Sequence, residues 1–166
     1  MTKTFTEAEI TIDTLEAHIR DSGLVPHPHE AQSDGIWMRS PKGLGFRISI
    51  IDDKKFIRFA TYLPLNRHAT IAQKHALVRR LNEGVFLPVF TLDQDEDLTV
   101  MYVLPYSTGL VGGNFVAVVN RFGSMLEYVV QTFNEDDLID LGNPNQSTEI
   151  AAADGKLGLT SGALLH

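Results

Sequence analysis

The chain of 166 residues contains no cysteine. Disulfides, thiolate nucleophiles and cysteine-held metals are therefore excluded. It also lacks any run near the roughly 18 apolar residues that a membrane span requires, so a membrane is not an expected partner. Its opening stretch, MTKTFTEAEITID, has neither the basic start nor the apolar core of a secretory signal, and the cytoplasm is the expected location. Basic residues are scarce: 14 Lys and Arg stand against 21 Asp and Glu, a net charge of −7. A balance of that sign argues against a nucleic-acid backbone as partner. Apolar content of 43% with 8% aromatics is what a globular chain with a real core carries.

The charge is unevenly placed. Between Arg39 and Arg80 the only acids are Asp52 and Asp53, whereas from Asp93 to Asp154 the only base is Arg121. Two readings follow: surface regions of one fold that simply differ, or complementary surfaces within the monomer or between subunits.

Read in order, the chain divides into a single domain over 1–141 and a flexible C-terminal tail over 142–166. Residues up to about Thr11 are polar and weakly patterned, and are expected to be loose. A short helix from Thr11 to Ser22 buries Ile12, Leu15 and Ile19 and ends at Gly23. The proline-containing connector VPHPHEAQSDG cannot be regular helix. Three strands follow. Ile36–Arg39 comes first. Leu44, Phe46, Ile48 and Ile50 then alternate with polar or small residues, and Lys55–Leu63 returns after a turn at Asp52-Asp53-Lys54. The short connections require an antiparallel meander. A helix from Thr70 to Glu83 is expected to bury Ile71, His75, Val78 and Leu81. A hairpin comes next, Phe86–Leu92 and Leu98–Leu104 about the acidic turn Asp93–Asp97, with Pro88 placing its first strand at an edge or bulge. A glycine-containing connector, Ser107–Gly113, leads into the longest element. From Gly113 to Asn134, Phe115, Val118, Phe122, Leu126, Val129 and Phe133 recur at the helical period and form a face broad enough to need a whole sheet beneath it. Beyond Gly142 the sequence is small, polar and without period.

Chemical motifs are few. The acidic turn begins like a calcium loop, but Leu98 and Leu104 stand where that loop needs glycine and a bidentate glutamate, so a solvated hairpin tip is expected. His27-Pro28-His29 offers two imidazoles and no third ligand. His68 and His75 have no metalloprotease arrangement, and His75 reads as a partly buried helix residue. No nucleophile elbow is present. Gly109, Gly112 and Gly113 precede a helix without a phosphate-loop pattern. Asn145-Gln146-Ser147 matches a glycosylation acceptor that a cytoplasmic chain would not have modified. No catalytic residue, metal site or cofactor is expected.

The stretch AQKHALVRRLNEGVFLPVFTLDQDEDLTVMYVLPY and the helix after it resemble the YbjN-like family of bacterial proteins. The matching features are Leu81-Asn82 at a helix end, the aromatic Phe86, the acidic-turn hairpin over Asp93–Asp97, and the long closing helix over Val111–Asn134. The resemblance covers about Thr11 to Leu141. It implies an α+β fold like that of type III secretion chaperones: a two-layer α/β sandwich on an antiparallel sheet of about five strands, in the order α-β-β-β-α-β-β-α. It also implies a regulatory or protein-binding role of the kind described as sensory-transduction regulation. Dimers are familiar in the chaperone relatives, and a homodimer is expected here.

By strand alternation Phe46, Ile48, Phe59, Phe90, Val100 and Tyr102 face the core, and Tyr62, Leu87, Val89, Met101 and Val103 point away from it. Five apolar side chains on a supposedly wet face need a cover. A second helix or a dimer mate could supply it permanently, or a segment of another protein could dock there reversibly. The first function class is thus a non-enzymatic binding or regulatory module. The alternative is an enzyme with a site assembled from scattered polar residues such as Arg47, Arg58, Asp52 and His68, which would require a deep pocket where they converge.

Overall fold

Polar caps and turns set most element boundaries in the computed structural model, which describes residues 2–28 and 34–142. Along the chain run strand β1 (Thr4–Phe5), helix α1 (Ile12–Asp21), and strands β2 (Gly35–Arg39), β3 (Gly45–Ile51) and β4 (Phe56–Leu63). Helix α2 (Ile71–Gly84), strands β5 (Val89–Leu92), β6 (Leu98–Pro105) and β7 (Leu110–Val111), and helix α3 (Gly112–Thr132) complete it. Thr11 caps α1 by accepting the Thr14 amide at 3.2 Å. Gly23, at φ +87°, turns the chain out of that helix while the Leu24 amide reaches back to the Ile19 carbonyl. Thr70 and Gln73 form a reciprocal capping box on α2.

The main sheet has the strand order β2-β3-β4-β6-β5 and is antiparallel throughout. With the three helices it makes the α-β-β-β-α-β-β-α succession anticipated above. Helix α3 covers one side, the inner face. Its Phe122 ring lies 5.0 Å from Phe46 and 6.0 Å from Phe59, and its Phe115 ring lies 5.9 Å from Phe59. Leu15 and Ile19 of α1, and Leu77 and Leu81 of α2, join the same apolar cluster.

Both outer strands have backbone groups engaged. Beside β5, the Asn82 side chain accepts from the Phe90 amide and donates to the Phe90 carbonyl, each at 2.9 Å. Beside β2, the His27 amide donates to the Trp37 carbonyl at 2.7 Å. Such contacts blunt the tendency of exposed edges to recruit further strands.

Several expectations are corrected. The first residues are not loose: Thr4 and Phe5 pair with Val111 and Leu110, and Phe5 meets the His18 ring edge-on at 5.2 Å. A two-residue strand is too short to show a period, and its partner lies more than a hundred positions along the chain. Helix α2 is rotated from its expected setting. Lys74, Leu77 and Leu81 form its buried stripe, while Ile71 and His75 are exposed. Lys74 is buried, and its ammonium reaches Glu96 at 3.2 Å.

The acidic turn is the solvated hairpin tip expected, with Gln94, Asp95 and Glu96 exposed, and it is also a fastener. Asp93 Oδ1 accepts from the amides of Asp95 and Asp97, and Asp97 Oδ1 accepts from the Leu65 amide. Together with the Arg80–Asp136 pair at 3.7 Å, the Lys74–Glu96 contact joins the basic and acidic regions within one monomer. After α3 the chain packs back through Leu138 and Ile139, held by Asn134. The proposed tail beyond Gly142, and His29 of the histidine pair, lie outside the described residues.

Candidate functional site

The side of the sheet turned away from α3 follows directly from strand register. Trp37, Arg47, Ala60, Met101 and Val89 are cross-strand partners in one row over all five strands. Gly35, Ser49, Arg58 and Val103 make the row beside it. Tyr62 pairs with Thr99, whose hydroxyl meets that of Thr91 on β5. Since side chains in a row share a face, Tyr62, Val89, Met101 and Val103 are brought together on this outer face.

None of these four belongs to the core cluster or packs against it. Val89 is 57% exposed, and Tyr62, Met101 and Val103 are half-buried. Leu87 departs from the expected grouping. It sits before β5, at φ +109°, and packs half-buried against the core. Strand alternation could not be carried back to it because Pro88 restricts the residue before it and regular strand begins only at Val89. The same irregular step leaves Phe86, which sequence patterning placed in the strand, 95% exposed.

The polar component of the face was missed as a unit. Arg58 is only 9% exposed, and its Nε donates to Ser49 Oγ at 3.2 Å. Burial, and after it the charge of Arg47, holds the Arg58 guanidinium below the ordinary arginine range. Trp37 and Ala60 are buried on the same side. The face is thus mixed: an apolar strip over β6 and β5, and a cationic strip over β3 and β4.

The four residues of the enzymatic alternative do not assemble. Arg47 and Arg58 share the outer face, but Asp52 lies in the β3–β4 turn, where it accepts from Lys55 Nζ at 3.1 Å and Tyr106 Oη at 3.3 Å. The Lys55 bond is the main reason its carboxyl titrates below the usual range. His68 is exposed beyond the opposite end of β4, a strand spanning roughly 25 Å. A cavity of about 200 Å³ lies elsewhere, between α3 and the β2–β3 turn. Leu24, Met38, Phe46 and Val119 line it, with Arg39 as its one ionisable group. Among the described residues no group of three His, Asp or Glu converges on a common metal position. No helix among them is long and apolar enough to cross a membrane.

The model of the YbjN family, described as "Putative bacterial sensory transduction regulator", matches residues 11–135. No curated protein matches the sequence. Among solved structures, YbjN from E. coli, described as "a putative transcription regulator", shares the fold with a TM-score of 0.67 at 20% identity, over 82% of this chain and 98% of that one. A chain of the ExsC–ExsE complex matches with a TM-score of 0.51 at 11% identity, over 79% of this chain and 96% of that one. A chain of the HopA1–SchA chaperone–effector complex matches with a TM-score of 0.49 at 13% identity, over 70% and 88% respectively. At such identities the likeness is one of fold.

Proposed function

The chain belongs to the YbjN family, and we propose that it is a non-enzymatic, cytoplasmic protein-binding or regulatory module whose outer sheet face docks a segment of another protein. The observation that carries this reading is the placement of Tyr62, Val89, Met101 and Val103. They share one face of a sheet whose other face is fully used by the core, and they contribute nothing to that core. Apolar side chains grouped in this way fit a contact surface better than a folding requirement. Met101 supplies a flexible contact able to accommodate more than one sequence. That a protein of this fold occurs in a two-protein complex is in keeping with the reading. The scatter of Asp52 and His68 away from the two arginines weighs against the enzymatic alternative.

A second copy of the chain is the competing occupant, and a homodimer through this face is the second reading. Its support is the same apolar strip outside the core cluster. The Val89→Ser/Met101→Ser variant separates the two. Proteins retained from the native host are compared with those held by the unaltered chain, alongside mass by light scattering and thermal melting. A folded variant of unchanged mass that loses its partners supports docking. Loss of a dimer assigns the face to self-association. Unchanged retention removes this face as the docking site.

A further inference from the structure

Resting on the docking reading above, we propose that the docked segment is extended, and that it adds a short strand to β6 at Val103 in line with β5. Main-chain hydrogen bonds to Val103 hold it, and its side chains rest on the apolar strip.

The opening is set by strand lengths. Strand β6 pairs with β4 along its whole length, but its pairing with β5 stops at Met101. Residues 102–105 of β6 therefore have a strand on one side alone. Two contacts fix which way their amides point. The Phe90 amide and carbonyl both bond Asn82, so they face away from β6. Alternation then turns Val89 and Thr91 toward Met101 and Thr99. On the β4 side, the Tyr106 amide reaches the Lys55 carbonyl at 2.9 Å, next to the Phe56–Pro105 pair. Tyr102 and Leu104 thus bond β4, and Val103 turns its N–H and C=O past the end of β5. Extending the β5–β6 register sets Leu87 opposite Val103. Leu87 has left strand geometry, at φ +109°, and packs against the core instead. Among the described residues no loop or side-chain group takes up the Val103 amide or carbonyl.

This geometry narrows the partner. A donor and an acceptor on one strand residue are matched by a group that carries both, as the main chain of an extended residue does. A helix has used these groups internally, and a nucleic-acid phosphate supplies acceptors only. The partner residue opposite Val103 shares its face, and so lies beside Met101 and Val89. Its two neighbours turn to the other face, over the half-buried Tyr102 and Leu104 at the rim of the core. Three successive apolar residues without proline suit all of these positions.

The test uses the full chain and peptides selected on it from a phage-displayed library of random dodecapeptides. In the unliganded protein, the Val103 amide should exchange at least about tenfold faster than those of Tyr102 and Leu104, which β4 holds. A selected peptide should slow Val103 exchange by a similar factor. N-methylation at the peptide residue that meets Val103 should weaken binding about tenfold or more, and at its immediate neighbours much less. Val103→Pro should fold and lose the peptide, since an amide that faces no neighbouring strand can be given up to proline. Should that variant not fold, the N-methyl scan reads the same bond from the peptide side.

Peptides that are lost in Val89→Ser/Met101→Ser, yet leave Val103 exchange unchanged and are indifferent to N-methylation, overturn the inference and leave the docking reading standing. Slow exchange at Val103 in the dilute, unliganded protein also overturns the inference alone. A library yielding no peptide at this face overturns both. Protection of Val103 that rises with protein concentration in the absence of peptide assigns the opening to a second copy and overturns the choice of partner.

Discussion

On the inner face of the sheet, Phe46, Ile48, Phe59 and Val100 are buried under Phe115 and Phe122 of α3. On the outer face of the same strands stand Arg47, Arg58, Met101 and Val103. The two sets alternate along one backbone, so local conformation cannot account for the difference between them. Cover does. Side chains beneath a helix are selected by packing, and any polar atom there needs a partner. On the outer face Trp37, Ser49, Arg58 and Ala60 are buried as well, whereas Val89, Met101 and Val103 over β5 and β6 stay outside the core cluster.

Substitutions graded by expected effect sharpen this contrast. Removing the ring at the centre of the inner face, Phe122→Ala, should cost about 3–5 kcal/mol, because a wholly buried aromatic leaves a cavity that the neighbouring rings cannot fill. Urea denaturation measures it, and a loss below about 1 kcal/mol would mean that α3 is not the main cover. Next comes the β5 edge. Asn82→Ala deprives both the amide and the carbonyl of Phe90 of their side-chain partner and should cost about 1–3 kcal/mol. Amide exchange at Phe90 should accelerate in step, and unaltered exchange would show that the edge is held by other contacts.

On the outer face, Val89→Ser/Met101→Ser should change stability by less than about 1 kcal/mol, because neither side chain packs against the core. A loss comparable to that of Phe122→Ala would make the outer face a second core. The smallest effect is expected on the free surface of α2. The Arg79–Glu83 pair is well exposed, and Arg79→Ala should leave stability nearly unchanged, which thermal melting at low and high salt can check.

Much of this architecture was legible in the sequence because it is carried by local periods. The alternation of Phe46, Ile48 and Ile50 and the helical spacing from Phe115 to Phe133 each report a face without reference to the rest of the chain. The features that were not legible depend on distant partners. Phe5 is fixed by Leu110, more than a hundred positions away. The rotation of α2 depends on Lys74, a charged residue whose burial makes sense only once Glu96 is beside it. The placement of Tyr62, Val89, Met101 and Val103 on the outer face was readable because alternation holds within strands. That of Leu87 was not, since the irregular step at Pro88 breaks that alternation. Arg47 and Arg58 were noticed as polar residues in a meander, but their grouping with Ser49 emerges only from the β3–β4 register.

The central claim, that the outer sheet face docks another protein, is tested most directly by placing a photo-crosslinking benzoylphenylalanine at one position on each side of the molecule in the native host. Met101 represents the outer face, and Tyr128, 48% exposed on α3, represents the helical layer. The account predicts a crosslinked product from position 101 containing a different polypeptide, absent when Val89 is also changed to serine, and no such product from position 128. A product from 128 alone, or one from 101 with twice the mass of this chain, would contradict it.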